Sequence, residues 1–382
     1  MSGPLAGLKV VEIVGLGPAP FCGMMLADMG AEVIRIDRPG GNAIMSTVAP
    51  KYDVMARNRR SIALNLKKQG AIETVLALVE QADILLEGFR PGVMERMGMG
   101  PDVCLARNPG LVYGRVTGWG QDGPLSQAAG HDINYIATAG VLHTIGHKGA
   151  PPIPPMNLVG DFGGGGMLLA FGVVCAAHQA QKTGRGQVVD AAMAEGAALL
   201  ATMNWGFRGA GYWNDERGSN INDGGAFYYA SYQCADGKYV CLASAEPQFY
   251  ALLREKLNLT DPVFNHKDDP TAWPELKQRL SDIFITETRK HWCDLLEGTD
   301  VCFAPVLDWN EAPQHPHNVA RKMFIELDGV TQPAPAPRFS ATPVTQPKPP
   351  VAPGADTEAV LSDWGFDTAK ISELRETGVF EK

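Results

Sequence analysis

Residues 8–37, LKVVEIVGLGPAPFCGMMLADMGAEVIRID, decide the fold. Leu8–Gly15 is a short apolar run closed by glycine, Phe21–Gly30 spaces its apolar residues as a helix does, and Ala31–Asp37 is apolar again. Continuous apolar runs suit strands buried on both faces, and a helix between two of them makes a βαβ unit. The alternation continues outward with a helix over Gln69–Ala82, a strand over Asp83–Phe89, a helix around Val93–Met97 and a strand over Gly110–Gly118. The chain therefore predicts an α/β fold: a large Rossmann-like, doubly wound parallel sheet with helices on both faces.

Beyond Gly163 the texture turns helical, first in GGGGMLLAFGVVCAAHQAQ (163–181) and then, after the turn TGRGQ, in VVDAAMAEGAALLATMNWGF (188–207). In YYASYQCADGKYVCLAS (228–244) two β-rich runs flank Asp236-Gly237 and read as a hairpin, the start of a smaller α+β domain. The proline-rich 332–353 reads as an extended connector that returns the chain to the first domain. The expected divisions are 1–195 (large α/β domain), 196–228 (helical linker), 229–305 (small α+β domain), 306–335 (linker) and 336–382 (C-terminal return to the large domain).

Among 382 residues the formal net charge is -9, which gives no basic field for a nucleic-acid backbone. Seven cysteines without a CxxC pair argue against a disulfide framework and for a reducing compartment. MSGPLAGLKVVEIVG lacks a cationic signal-peptide start, the ending VFEK is not of the SKL type, and no run of about 18 apolar residues suggests a membrane span. A cytoplasmic protein is expected.

VGLGPAP mimics a dinucleotide fingerprint, with Asp37 closing the next strand, but it runs G-x-G-x-x-P and Pro20 takes the third glycine's place, against NAD or FAD. Arg38 stands where open α/β sheets place ligands. Arg57, Arg59, Arg60, Lys67, Arg90 and Arg96 read singly as solvated surface and together as a phosphate cradle. His131, in AGHDINY, is either a general base or part of a turn opening a helix. Asp161 precedes four glycines and an apolar helix, as a cap or as a carboxylate at a helix entrance. Glu246, before Pro247, is either helix N-terminal charge or a third acid. His315 and His317 have no third partner at a ligand spacing, so no metal is expected.

These stretches together resemble the α-methylacyl-CoA racemases of the CoA-transferase family III superfamily. The likeness is colinear over nearly the whole chain and includes 8–41, LLEGFRPGVMERMG, GRVTGWGQDGP, AGHDINY, PMNLVGDFGGGG, GQVVDAAMAEG, NDGGAFYY, AEPQFY and DVCFAPVL. GHDINY and AEPQFY look like the racemase branch more than the transferases. The resemblance implies that His131 is one base and Asp161 with Glu246 forms the other. Inverting a centre α to a thioester needs a base on each face and a donor for the enolate oxygen, for which the Asp132 N–H after Gly130 is the candidate. Asn157 is a further supporting residue. CoA, as part of the substrate and with no separate cofactor, is implied near Arg38, Leu64, Leu66, Lys67, Gly88, Arg96 and Tyr135. In LNLK, Asn65 replaces the family's usual aspartate. An interlocked homodimer is also implied, Glu246 coming from the other chain's small domain. The alternative is a family III CoA-transferase with Asp161 as the nucleophile that forms an acyl anhydride.

Overall fold

The computed structural model describes residues 2–41 and 48–380. The chain forms two compact units: Met1–Ala139 with Met156–Leu200 and Lys322–Lys382, and Gly140–Pro155 with Ala201–Arg321. Residues 140–155, inside the expected 1–195 domain, thus group with the second unit, which also takes in stretches expected as linkers.

In the first unit the elements follow as β1 (Lys9–Ile13), α1 (Pro18–Asp28), β2 (Glu32–Asp37), β3 (Arg60–Ala63), α2 (Ala71–Val79), β4 (Ile84–Glu87), α3 (Val93–Arg96), α4 (Pro101–Arg107), β5 (Val112–Thr117), α5 (Asp132–Thr138), a π-helix (Leu158–Met167), α6 (Leu168–Thr183), β6 (Gln187–Ala192) and α7 (Met193–Leu200). The strands form one parallel sheet in the order β3-β2-β1-β4-β5-β6. Val11, Ile13, Ile34 and Ile36 face a core closed by α2, α4 and two C-terminal helices carrying Trp364 and Leu374. Val10 and Val33 face the opposite core, closed by Cys22 and Leu26 of α1 and Leu169 and Val173 of α6. Strand order reverses beside β1, and the crevice between the β1 and β4 carboxyl ends is where such sheets receive ligands.

Three readings change. Val188–Ala192, expected inside a helix, belongs to the edge strand β6 (Gln187–Ala192): Val188 and Val189 pair with β5, and the Ala-rich run turns helical only at Met193. Arg57, Arg59 and Arg60 are neither solvated surface nor a phosphate cradle. Arg60 opens β3. Arg57 is buried on Asp28 at 2.6 Å, with Gln332 and the Pro333 carbonyl as further acceptors, and Arg59 pairs with the fully buried Glu12. The third concerns apolar length. The continuous helix Leu158–Thr183, 26 residues, is long and apolar enough to cross a membrane. Its buried glycines, alanines and Val173 pack on α1, α7 and β5, while Leu158, Met167, Phe171 and Val174 are exposed.

The connector runs back along the first unit, where the Lys348 carbonyl accepts from the Asn58 N–H at 2.9 Å and the Gly354 N–H donates to Ser61 Oγ at 2.8 Å. In the second unit β7 (Tyr229–Gln233), β8 (Tyr239–Ala243) and β9 (Phe303–Val306) form an antiparallel sheet, β7 and β8 being the expected hairpin. Trp273, Leu276, Phe284 and Trp292 from two helices cover its Tyr232, Val240 and Leu242 face.

Candidate active site

His131 is the N-cap of α5, with extended backbone, and its ring is exposed. Asn134 ties this helix start together: its Oδ1 accepts from the His131 N–H at 3.0 Å, while its own N–H donates to the His131 carbonyl at 2.8 Å. Tyr135 N–H reaches that carbonyl as well, so the Asp132 N–H is left without an acceptor among the described residues. A first-turn N–H has no intrahelical acceptor and stays open to an external one. Tyr135 is buried, donates its hydroxyl to the Gly130 carbonyl and packs edge-on against Trp119 at 4.8 Å. A Cβ at Gly118 would lie 2.0 Å from the Tyr135 ring, so that glycine makes room for it.

Asp161 is not an N-cap. Asn157 holds that position, and Asp161 lies in the first turn of the π-helix, half-buried. The four glycines that follow admit neighbouring helices. A Cβ at Gly164 would come within 2.7 Å of the Ala197 N in α7, and one at Gly166 within 2.8 Å of Phe21 and the Pro18 carbonyl of α1. The Gly17 Cβ position is 3.5 Å from Asp161 Oδ2, so the β1–α1 turn walls the carboxylate. Burial pushes the Asp161 carboxyl above its ordinary range; the Asn157 amide, donating at 3.1 Å, opposes this, the Asp132 charge adds to it and His131 opposes it. Asp132 joins the two elements. Its carboxylate is buried, and Oδ2 accepts the N–H groups of Gly160 at 2.6 Å and Asp161 at 2.7 Å.

Glu246 belongs to the second unit, as the exposed N-cap of α9 (Pro247–Lys256, following α8, Thr202–Gly209); its carboxylate makes no cap bond, and Pro247 occupies the first helical turn. The residues implied for CoA stand where parallel strands deliver them: Arg38 directly after β2, Leu64–Lys67 after β3, Gly88 after β4 and Arg96 at the end of α3. Arg38, Lys67, Gly88 and Arg96 are exposed. Leu64 is 1% exposed inside the core, and Leu66 packs partly against the same core. Asn65 Oδ1 accepts from the Lys67 N–H at 3.2 Å, an acceptor role open equally to aspartate. Asp37 is buried against Arg35 at 2.9 Å and Ser61. Among the described residues no group of three metal-ligating side chains occurs.

A parallel sheet whose carboxyl ends present basic and glycine-backbone positions, beside a histidine and a half-buried carboxylate, fits a protein that handles an anionic thioester. The chain belongs to CoA-transferase family III, whose family model matches residues 5–357. It is 43% identical to an α-methylacyl-CoA racemase of Mus musculus over 99% of this chain and 97% of that one, and 40% identical to the α-methylacyl-CoA racemase of Homo sapiens over the same shares. Its fold is similar to the crystal structure of a CAIB/BAIF family protein from Brucella suis, with a TM-score of 0.82 at 22% identity, covering 95% of this chain and 100% of that one.

Proposed function

We propose that this chain is an α-methylacyl-CoA racemase, an isomerase that interconverts (R)- and (S)-2-methylacyl-CoA thioesters by 1,1-proton transfer through an enolate. The observation that carries the reading is that the buried Asp132 carboxylate, next in sequence to His131, accepts the Gly160 and Asp161 N–H groups and so joins the elements that bear His131 and the half-buried Asp161. A carboxyl shifted toward neutrality suits a proton carrier. A transferase nucleophile would also have to be ionised; what separates the two readings is His131, for which a transferase has no need and two-base proton transfer does.

In one direction ionised Asp161 takes the Cα proton and His131, as imidazolium, returns one to the opposite face; in the other the protonation states are exchanged. The enolate oxygen accepts from the open Asp132 N–H, in the manner of an oxyanion hole. Glu246 shares the carboxylate side of the site. Arg38, Lys67 and Arg96 hold the phosphates of CoA, and Gly88, Tyr135, Leu64 and Leu66 line its path. No cofactor beyond the substrate's CoA enters this scheme.

The homodimer is part of the same proposal, with Glu246 supplied from the partner chain. Exposed apolar side chains in each unit support it: Phe171 (70% exposed), Val174 and Leu200 in the first, Met203 and Trp205 in the second. Such residues are typical of surfaces that another chain covers. Seven free cysteines fit a reducing compartment such as the cytoplasm. Two variants test the bases. H131A and D161N are each expected to abolish racemisation while acyl-CoA affinity stays within about threefold; racemisation surviving in either would remove that residue from the mechanism. A fully active monomer in sedimentation would remove the shared site.

A further inference from the structure

We propose that the Asp132 carboxylate is the positioning residue of the Asp161 base: one buried side chain, next in sequence to His131, sets where Asp161 stands relative to it. The inference rests on the two-base reading and goes beyond the use of the Asp132 main chain as an enolate donor. Asp132 Oδ2 takes both the Gly160 and Asp161 N–H groups, which lie in the first turn of the π-helix and have no acceptor within it. The approach leaves no slack, since a Cβ at Gly160 would fall 2.6 Å from Oδ2 and 3.3 Å from the Asp132 Cα. Asp132 Oδ1 is buried, with no partner among the described residues. A carboxylate kept in the interior with one oxygen unsatisfied is costly, and a neutral side chain would hold α5 against its neighbours without that cost. What the carboxylate adds is a fixed first turn for Asp161.

The groups around Asp161 are few. Among the described residues, α5 brings His131, the Asp132 carboxylate and the Tyr135 phenol, Asn157 donates from the cap, and the turn before α1 presents the uncharged Gly17. Removing the Asp132 carboxylate therefore acts on Asp161 through geometry and through the loss of one negative charge.

Racemisation cannot reveal this asymmetry, because the equilibrium constant ties the two directions together. Exchange of the Cα hydrogen with D₂O can, since each epimer loses its proton to a different base. Initial exchange is measured separately from the (R)- and (S)-thioesters for wild type, D161N, D132A and D132N. D161N identifies the epimer that depends on Asp161. D132A is expected to slow exchange of that same epimer by about 10²-fold, the scale of an ångström-sized misplacement, and to leave the other within about threefold. D132N, whose amide oxygen can still accept both N–H groups, should show a smaller loss in the same epimer and, in its exchange, an acid limb moved to lower pH. Equal losses in both epimers, or none, in D132A and D132N would overturn the proposal; if D132A does not fold, D132N decides by the same criterion. Absence of exchange in wild type would overturn the racemase reading itself.

Discussion

Replacing Gly196 by alanine tests whether the site depends on the close contact of α7 with the π-helix. The added Cβ would lie 2.0 Å from the Gly164 carbonyl oxygen and 2.5 Å from its carbon, both main-chain atoms that no side-chain rotation can move aside. Non-bonded carbons rest about 3.5–4.0 Å apart, so even a contact compressed to about 3 Å leaves roughly 0.5–1 Å to be found by separating the two helices. In an open helix the same change would stabilise by about 1 kcal/mol through propensity. Here overpacking of about 1–3 kcal/mol or more opposes it and decides the sign. Asp161 rides three residues ahead of Gly164 on the displaced helix, and a shift approaching 1 Å costs on the order of 10²-fold in rate. Urea unfolding and racemisation kinetics on G196A should therefore show a loss of stability and a large fall in kcat. KM should hardly change, because Arg38, Lys67 and Arg96, assigned to the phosphates of CoA, stand directly after β2, after β3 and at the end of α3. Wild-type kcat and stability in G196A would refute this account of the glycine run.

Further outcomes follow from the same geometry. In N157A the Asp161 carboxylate loses the donor that favours its charged form, so its pKa rises; Asp161 must be ionised to act as base, and the acid limb of that epimer's exchange moves to higher pH. An unmoved or lowered limb in a pH profile would contradict the assignment. R57M leaves the buried Asp28 carboxylate without its partner and should cost about 3–5 kcal/mol in denaturant unfolding, whereas a loss under about 1 kcal/mol would show that the pair is not buried as described.

What the sequence could and could not reveal follows from the range of the interactions. The first βαβ unit is legible because strands buried on both faces write themselves as unbroken apolar runs around an amphipathic helix. β3 is not legible, because RSIA is short and follows Arg57 and Arg59, whose partners Asp28 and Glu12 lie 29 and 47 residues away. Local periodicity carries no trace of such pairs. β6 is hidden by an Ala-rich run with no break between strand and helix. At the site, bare residue types leave His131 and Asp161 open to helix-capping readings, and it is the family resemblance that singles them out. The π-helix gives no warning, since the four glycines read only as the start of the helical stretch 163–181 until Gly164 is seen against Gly196. The Asp132 contact spans 28 residues and is equally silent in the sequence.

The central claim is two-base proton transfer at Cα, and deuterium exchange tests it most directly. Wild-type protein incubated in D₂O with each 2-methylacyl-CoA epimer, without any acceptor acid, should incorporate deuterium at Cα, and both samples should converge on one epimer mixture. No incorporation, with CoA passing to a free carboxylic acid once one is added, would contradict the claim and make Asp161 the nucleophile of a transferase.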